Sequence, residues 1–368
     1  MDPRYRIDDT SQIISPALVL YKELIESNLM RMVEIAGSPD RLRPHVKTHK
    51  MREIVAMQMA AGIGKFKCAT IAEAEMVASC HANDILIAYQ MVGPNRARLV
   101  RLIEKFPRAT FRVLVDHPLA ARQLAESLSA ARRSVSVLLD VDVGQHRTGI
   151  APGTEAVQLY ELICQLPGLQ PGGLHVYDGH NHQESISERQ TAVENQFSKV
   201  AEFRDELVKR GLRVQRVVCG GTPTFPHYAR IGGTELSPGT CVLHDNGYGS
   251  RFPEMGFRWA ALLLTRVVSR PAPNRMCLDL GYKAVASDPK GDRLLLLDLP
   301  NAKFVLQNEE HLLVETEEAS RYQPGDELLA CPTHICPTCA LHKEAYVVES
   351  GRLTARWAVV ARDRWLEV

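Results

Sequence analysis

Residues 65–88 read KFKCATIAEAEMVASCHANDILIA and contain one complete strand–helix–strand unit. Short strand-like runs lie at 65–70 and 84–88, and most runs of this kind in the chain lack a clean polar alternation, as expected for strands buried on both faces of a parallel sheet. Between the two runs, Thr70 and Glu73 form the Thr-x-x-Glu pattern of a capping box, which predicts a helix that extends to about Cys80. This stretch therefore predicts a parallel β/α arrangement.

The same pattern recurs through the first two-thirds of the chain. Long helical periods lie between further apolar runs, which are found at 17–21, 44–48, 111–116, 135–142, 172–177 and 214–219. Roughly eight strand–helix units in about 230 residues favour a (β/α)8 TIM-like barrel. An open doubly wound sheet is the alternative.

The pattern changes near residue 240. Short strand-like runs separated by turn residues follow, for example at 260–268, 327–331 and 352–358, and they predict a C-terminal antiparallel β domain. We expect residues 15–245 to form the barrel. The β-rich domain is expected to comprise residues 1–14 and 246–368.

The composition excludes several classes of protein. The 368 residues include 44 Lys+Arg and 43 Asp+Glu, a net charge of +1, so no binding surface for nucleic acid or an anionic membrane is expected. No run approaches the roughly 18 apolar residues of a membrane span. The start, MDPRYR, lacks the apolar core of a signal peptide, and nine irregularly spaced cysteines do not suggest a disulfide framework. We expect a cytoplasmic protein.

A basic run, RPHVKTHK at 43–50, stands at the end of a predicted barrel strand. Barrel active sites gather at the C-terminal ends of the strands. A lysine among cationic groups is shifted toward its unprotonated form, and such an amine can condense with the carbonyl group of a cofactor. Lys47 is the candidate, and a solvated basic turn is the alternative.

Polar groups also follow two later predicted strands. The run DVDVGQHRTGI at 140–150 carries Arg147, whose guanidinium can bind an anionic oxygen. The run GLHVYDGHNH at 173–182 crowds titratable groups at a strand end, as an active-site loop does. His175 and Tyr177 are candidates there. His180 and His182 are either acid–base or substrate groups, or ordinary loop residues.

Two glycine-bearing turns follow the last predicted barrel strands. Gly220, Gly221 and Thr222 lie in the first, and Gly239 and Thr240 in the second. Glycines allow a close backbone approach, and free N–H groups with a hydroxyl can bind a phosphate. We expect a phosphate site at these five residues.

Near the C-terminus, the run PTHICPTCALH at 332–342 carries several metal-binding side chains. An extended His-x-Cys would place His334 and Cys336 on one face of a strand, where imidazole and thiolate could bind zinc or a similar ion. A structural zinc knot is a rival interpretation. It would use Cys336, Cys339 and His342, with Cys331 or His334 as the fourth ligand. Buried cysteines and surface histidines are the remaining alternative.

Taken in this order, the motifs resemble those of the D-threonine aldolase and D-serine dehydratase family over nearly the whole chain. That family has the alanine racemase-like fold, fold type III of the pyridoxal-phosphate enzymes. The resemblance implies that Lys47, rather than Lys50, binds pyridoxal phosphate, and that Arg147 lies near this cofactor. It also implies catalytic roles for Lys47, His175 and Tyr177.

The resemblance further implies that His334 and Cys336 bind a divalent metal, zinc or manganese, and that the chain forms a homodimer. The expected reaction is cleavage of a D-β-hydroxy amino acid to glycine and an aldehyde, because the motifs at 140–150 and 173–182 are closer to the aldolases. The His-x-Cys pair instead favours the alternative, a D-serine or D-threo-3-hydroxyaspartate dehydratase that yields a keto acid and ammonia. An amino-acid racemase and a non-catalytic pyridoxal-phosphate-binding protein are less favoured.

Overall fold

A computed structural model describes residues 2–368 of the chain. The described residues divide into two compact units, and each unit is assembled from three separate stretches. The barrel unit comprises 33–47, 54–239 and 363–368, and the β unit comprises 2–32, 48–53 and 240–362. Within residues 2–368, no helix is both long and apolar enough to cross a membrane.

The regular elements are named in chain order. The strands are β1 (Ala17–Tyr21), β2 (Lys65–Cys68), β3 (Asp84–Gln90), β4 (Thr110–Val115), β5 (Val135–Val141), β6 (Leu169–Val176), β7 (Val217–Cys219), β8 (Thr234–Leu236), β9 (Ala261–Ala272), β10 (Arg275–Leu278), β11 (Leu294–Leu296), β12 (Lys303–Gln307), β13 (Leu312–Glu315), β14 (Glu327–Pro332), β15 (Glu344–Glu349) and β16 (Arg352–Ala358). The α-helices are α1 (Lys22–Ala36), α2 (Arg52–Ala60), α3 (Ile71–Ser79), α4 (Asn95–Lys105), α5 (Pro118–Ala130), α6 (Thr154–Gln165), α7 (Ile186–Lys209), α8 (Phe225–Tyr228), α9 (Asn246–Arg251) and α10 (Ile335–Leu341).

The barrel unit is built on a parallel sheet in which β2 to β8 pair in chain order. Segment 42–46 closes this sheet from both sides. The Arg43 amide donates to Leu236 O on β8 at 2.7 Å, and the Val46 amide donates to Lys67 O on β2 at 2.9 Å. The predicted TIM-like barrel is therefore confirmed, with segment 42–46 as its first strand.

Apolar side chains occupy both faces of the barrel strands. In β5, six of the seven side chains are buried, because one face lines the interior and helices cover the other. Helix α3 begins at the predicted capping box, where Thr70 Oγ1 accepts from Glu73 N at 3.1 Å. Glu73 Oε2 accepts in return from Ala69 N at 2.6 Å, one residue before the expected partner. The amides of Ala69 and Glu73 at this helix start are thereby satisfied.

The β unit contains the second sheet, which is mostly antiparallel. Its central strand β9 pairs antiparallel with β1, β10 and β14. Side chains of β1, β9, β14 and β15, such as Val19, Leu262, Leu329 and Val348, form its core. The predicted C-terminal antiparallel β domain is confirmed.

Strand β1 differs from the expectation. It was predicted as the first barrel strand, within the 15–245 domain, but it pairs with β9 and β15 in the β unit. All five of its side chains are buried, and a short apolar run of this kind fits the centre of either sheet. The 44–48 run therefore provides the first strand of the barrel, rather than the second.

Candidate active site

The ring of Tyr177, directly after β6, is surrounded by cationic side chains of the barrel unit. Lys47 Nζ lies 5.9 Å from the ring centre, Lys67 Nζ 5.7 Å and Arg147 Cζ 5.1 Å. A Cβ atom added at Gly221 would lie 3.5 Å from the same ring, so the glycine turn also reaches it. The structure thus brings together four of the predicted site residues, and it adds Lys67 to them.

The backbone before Lys47 determines where this lysine lies. Segment 42–46 is hydrogen-bonded on both sides, so Lys47 stands at the C-terminal end of a barrel strand, where such folds place their active sites. Lys50 differs, because its backbone has a φ of 57° and its amine donates to Ala361 O at 3.3 Å. Of these two lysines, Lys47 is the one at the Tyr177 ring.

A buried chain of polar groups lies below this ring. His175 Nδ1 is 2.7 Å from Asp140 Oδ1, and His175 Nε2 is 3.4 Å from Lys67 Nζ. Burial, and then the charge of Lys67, lower the pKa of His175. Burial opposes ionisation of Asp140, but the hydrogen bond and charge of His175, together with Thr148 and Lys67, outweigh it and lower the pKa of the carboxyl. The imidazole of His175 is therefore neutral and lies beside the ionised carboxylate of Asp140.

Sequence reasoning missed Lys67, which is only 3% exposed. Burial, and then the charge of Lys47, lower the pKa of Lys67 to about 7. The available signal was a charged residue in the middle of an apolar strand, between the buried Phe66 and Cys68. Buried lysines are rare without a function or a partner.

The two glycine turns are joined by one hydrogen bond. Gly220 has a φ of +79°, and a Cβ there would lie 3.0 Å from Tyr228 Cδ2, so this position requires glycine. The Gly239 amide donates to Thr222 Oγ1 at 3.2 Å, which links the turn after β8 to the turn after β7.

A further buried carboxyl holds the first turn in place. The Gly221 amide donates to Thr224 Oγ1 at 3.0 Å, and the Thr224 hydroxyl donates to Asp178 Oδ1 at 2.9 Å. Burial raises the pKa of Asp178. Bare glycine backbone, a hydroxyl and a nearby arginine form a set that suits the phosphate and ring of pyridoxal phosphate.

His334 and Cys336 do not lie on an extended strand, so that expectation was wrong. His334 is the N-cap residue of α10, and Cys336 lies in its first turn. The chain turns here because Asp245 Oδ2 accepts from Ile335 N at 3.0 Å and the Thr338 hydroxyl donates to His334 O at 2.8 Å. The two side chains nevertheless meet in a hydrogen bond.

The surroundings of this pair suit a metal ion. His334 Nδ1 lies 2.6 Å from Asp288 Oδ2, which leaves Nε2 to bind an ion, as in carboxylate–histidine–metal arrangements. Cys336 Sγ lies 3.2 Å from Thr48 Oγ1 and 3.4 Å from Thr240 Oγ1. Thr240, predicted at the phosphate, thus belongs to the β unit and contacts the thiol. Burial opposes protonation of His334, but its hydrogen bonds to Cys336 and Asp288 raise its pKa to about 9.

The rival zinc knot is contradicted. Among residues 2–368, no three or more His, Cys, Asp or Glu side chains are grouped so that they could hold a metal ion. Cys339 is buried, which raises the pKa of its thiol well above the usual value. His342 Nε2 is instead 2.8 Å from Ala284 O. The remaining donor set is the imidazole of His334 and the thiol of Cys336, a pair that zinc and similar ions bind well.

The two other histidines of the 173–182 run have different surroundings. His180 lies against the loop after β5, because its Nε2 would be 3.0 Å from a Cβ added at Gly144. Arg147 belongs to that same loop. His182 is exposed. A role for either histidine toward the substrate stays a prediction.

Known proteins share this architecture and align with nearly the whole chain. Residues 22–246 match the family model described as alanine racemase, N-terminal domain, and residues 260–348 match a putative serine dehydratase domain. The D-threonine aldolase of an Arthrobacter species is 30% identical over 98% of this chain and 94% of its own length. The chain belongs to the D-threonine aldolase and D-serine dehydratase family.

Two further members of the family support this assignment. The 3-hydroxy-D-aspartate aldolase of Paracoccus denitrificans (strain Pd 1222) is 27% identical over 97% of this chain and 94% of its own. The crystal structure of a D-threonine aldolase from Filomicrobium marinum is 30% identical and has a TM-score of 0.88, with 95% of each chain covered. Family membership makes the chain a lyase with the pyridoxal-phosphate-dependent, alanine racemase-like fold.

Proposed function

We propose that this chain is a pyridoxal-phosphate- and divalent-metal-dependent aldolase that cleaves D-β-hydroxy amino acids to glycine and an aldehyde. One observation carries the proposal: the Lys47 amine and the Arg147 guanidinium share the Tyr177 ring with the glycine turn at Gly221. The site therefore combines an amine, a guanidinium, an aromatic ring and glycine backbone. A phosphorylated aromatic aldehyde offers a partner for each of them: its aldehyde, its anionic oxygens, its ring and its phosphate.

The residues that would hold the cofactor follow from these contacts. Lys47 would bind its aldehyde carbon through a Schiff base, and Gly220, Gly221, Thr222 and Gly239 would bind its phosphate. When bound, pyridoxal phosphate supplies an electron sink for whichever bond to the substrate Cα breaks.

Arg147 and Tyr177 would orient the cofactor and the substrate. The Arg147 side chain is exposed at the ring of Tyr177, where it can bind an anionic oxygen of either molecule. Because orientation of the substrate decides which bond to Cα breaks, these contacts select the reaction.

In the β unit, His334 and Cys336 would hold the metal, for which we propose zinc or manganese. Asp288 fixes the imidazole ring, and two threonine hydroxyls lie within hydrogen-bond distance of the thiol. A divalent ion supplies Lewis acidity toward a hydroxyl group. This is the group that distinguishes β-hydroxy amino acids from other amino acids.

A D-serine or D-threo-3-hydroxyaspartate dehydratase is the second candidate, and two observations favour it. The metal pair includes Cys336, and residues 260–348 match a putative serine dehydratase domain. In the aldolase reaction the β-hydroxyl loses its proton, the Cα–Cβ bond breaks, and Cα gains a proton. In the dehydratase reaction Cα loses its proton and hydroxide leaves Cβ. The 30% identity to a D-threonine aldolase over nearly the full length supports the aldolase as our first candidate.

Product analysis separates these candidates. The purified holoenzyme is incubated with D-threonine, D-serine and D-threo-3-hydroxyaspartate, with the L-forms as controls. We expect glycine and acetaldehyde from D-threonine, and loss of this activity after treatment with a chelator. Keto acid and ammonia would instead establish the dehydratase. Neither product from any D-substrate would overturn both candidates.

Covalent labelling tests the anchor directly. Borohydride reduction of the holoenzyme should fix the cofactor on the peptide that carries Lys47, as measured by mass spectrometry. The Lys47→Ala variant should lose the label and Lys50→Ala should keep it, because the Lys50 amine is bound to Ala361 O. A label on Lys50 would contradict the assignment.

We also propose that the enzyme acts on small D-amino acids as a cytoplasmic homodimer. Family membership supports the dimer. The nine cysteines form no disulfide within residues 2–368, as expected in a reducing compartment. Light scattering after size-exclusion chromatography measures the mass, and a monomer at micromolar concentration would contradict the dimer.

A further inference from the structure

Lys67 is a buried cation whose amine lacks a carboxylate partner. Within residues 2–368 its hydrogen-bond partner is His175 Nε2, at 3.4 Å, and no acidic side chain forms an ion pair with it. Arg43, a buried cation of the same barrel, differs because its guanidinium pairs with both Asp84 and Glu235 at 2.7 Å. A buried charge without a partner is costly, so the surroundings of Lys67 shift its amine toward the neutral form.

The Asp140–His175 pair orients this amine. The short contact between Asp140 Oδ1 and His175 Nδ1 places the imidazole proton on Nδ1, because a carboxylate oxygen accepts. Nε2 is then an acceptor, and it receives a hydrogen from Lys67 Nζ. The order Asp140–His175–Lys67 repeats the logic of a catalytic triad, with the amine as its terminal group.

The terminal amine is presented to the same ring as Lys47. The two Nζ atoms lie 5.7 and 5.9 Å from the centre of the Tyr177 ring. The charged and titratable groups that influence the Lys67 amine come from several elements: Lys47 after segment 42–46, Asp140 on β5, His175 on β6, Tyr177 and Asp178 after β6, and Cys219 on β7.

We propose that Lys67 is a second acid–base lysine of this site, oriented by His175 and Asp140, and that it delivers the proton that Cα gains when the Cα–Cβ bond breaks. The inference rests on the proposed function. The Lys67 ammonium gives a proton to Cα and becomes the amine, and the proton released from the β-hydroxyl restores the ammonium. No net proton is consumed, which matches an aldolase reaction.

The chemistry of Lys67 suits this role. Its pKa of about 7 leaves comparable amounts of amine and ammonium at neutral pH, and general acid–base groups work best when their pKa is near the working pH. An ordinary surface lysine is almost fully protonated under these conditions. Burial at the barrel interior therefore gives the chain a proton donor that can also accept.

Exchange of the glycine α-hydrogen in deuterium oxide tests the proposal, because the reverse proton transfer needs no aldehyde. Nuclear magnetic resonance would measure the loss of the glycine α-hydrogen signal in the presence of the holoenzyme. Lys67→Met and Lys67→Arg should both slow the exchange by about a hundred-fold or more, the usual contribution of an acid–base group. Both should keep the change in the cofactor spectrum that glycine binding causes.

The two variants separate proton transfer from charge. Arginine keeps a positive charge but does not give up its proton, so near-normal exchange in Lys67→Arg would show that charge alone matters and would overturn the proposal. Normal exchange in Lys67→Met would overturn it as well. Lys65→Met is the matched control on the same strand. Lys65 pairs with Glu235, which Arg43 also holds, and we expect its exchange rate to be unchanged.

A measurement on the protein without cofactor tests the chain independently of catalysis. With ¹⁵N-labelled histidine, the ring nitrogens of His175 should report the Nδ1–H tautomer. Removing the neighbouring charge in Lys67→Met should raise the midpoint of the His175 titration by about one pH unit or more. An unchanged midpoint would overturn the contact. This result does not depend on whether Lys47 binds the cofactor. A failure of the Lys67 proposal can therefore be distinguished from a failure of the proposed function.

Discussion

The two candidate sites of this chain are assembled in opposite ways. Around Tyr177, the functional groups come from separate parallel strands, because Lys47, Lys67 and Arg147 are far apart in sequence and meet only when the barrel closes. In the β unit, His334 and Cys336 lie two residues apart at the start of one helix. The barrel groups meet through the register of several strands, whereas the metal pair comes from one short segment whose turn is held by the distant Asp245. A sequence motif therefore reveals the pairing of His334 with Cys336, but not the conformation of that segment.

The largest expected effect comes from removing the amine at the Tyr177 ring. Lys47→Ala should lower kcat/KM for D-threonine by about a thousand-fold or more, because the covalent anchor is lost. The measurement is the initial rate of glycine formation, together with the visible absorbance of the bound cofactor. Activity within tenfold of the parent enzyme would show that the barrel site is organised around another group.

Removing the metal pair tests whether the two sites are separable. Cys336→Ala and His334→Ala should each lower the bound metal and reduce activity by about a hundred-fold or more, because each removes one of the two proposed ligands. The visible band of the lysine-bound cofactor should remain. Metal content is measured by mass spectrometry of the purified protein. Loss of the cofactor band in a folded variant would contradict the view that the two sites form independently.

The pH dependence of the free energy of unfolding should report the buried amine of Lys67. The pKa of Lys67 is lowered to about 7 in the folded protein, so above this value, and up to the ordinary lysine pKa, the unfolded chain holds the additional proton. Raising the pH through this window therefore stabilises the folded state. Between pH 7 and 9, the cofactor-free parent should gain roughly 2 kcal/mol in free energy of unfolding over Lys67→Met.

Urea unfolding of both proteins at several pH values measures this difference. The subtraction cancels the titration of shared groups that do not interact with Lys67. Equal pH dependence of the parent and Lys67→Met would show that Lys67 is protonated in the folded state, as an exposed lysine is.

A smaller effect is expected from the group behind the metal pair. Asp288→Asn removes the carboxylate that contacts His334 Nδ1 at 2.6 Å. We expect metal affinity to fall by about tenfold, the lower end of the range for such outer partners. Competition with a chelator of known affinity measures it, and Asp292→Asn provides a control in the same loop. An affinity equal to that of the parent would remove Asp288 from the site.

Much of the barrel could be predicted because its signals are local. The Thr70 capping box and the apolar runs such as 135–142 follow from neighbouring residues, and both have counterparts in the structure. Strand β1 could not be assigned, because a fully buried run does not distinguish the interior of a parallel barrel from the centre of an antiparallel sheet. Only its long-range pairing with β9 decides this.

The site residues, like the strands, could be predicted where the signal is local and could not where it depends on distant residues. Lys47 and Tyr177 stand in recognisable motifs, and the structure places them together. Lys67 could not be predicted as a site residue, because its hydrogen bond is to His175, which is distant in sequence. The conformation at His334 was predicted incorrectly, since the helix start depends on a carboxyl contributed by Asp245.

The closure of the barrel by segment 42–46 has a practical consequence for dissecting the enzyme. A fragment that begins at residue 54 would leave the backbone groups of β2 and β8 without the strand that joins them. Two exposed edges of this kind recruit strands from neighbouring chains, so such a fragment should aggregate rather than fold alone. A truncated gene that begins at residue 33 would keep segment 42–46 ahead of β2 and preserve the closed ring, and it offers a route to an isolated cofactor domain.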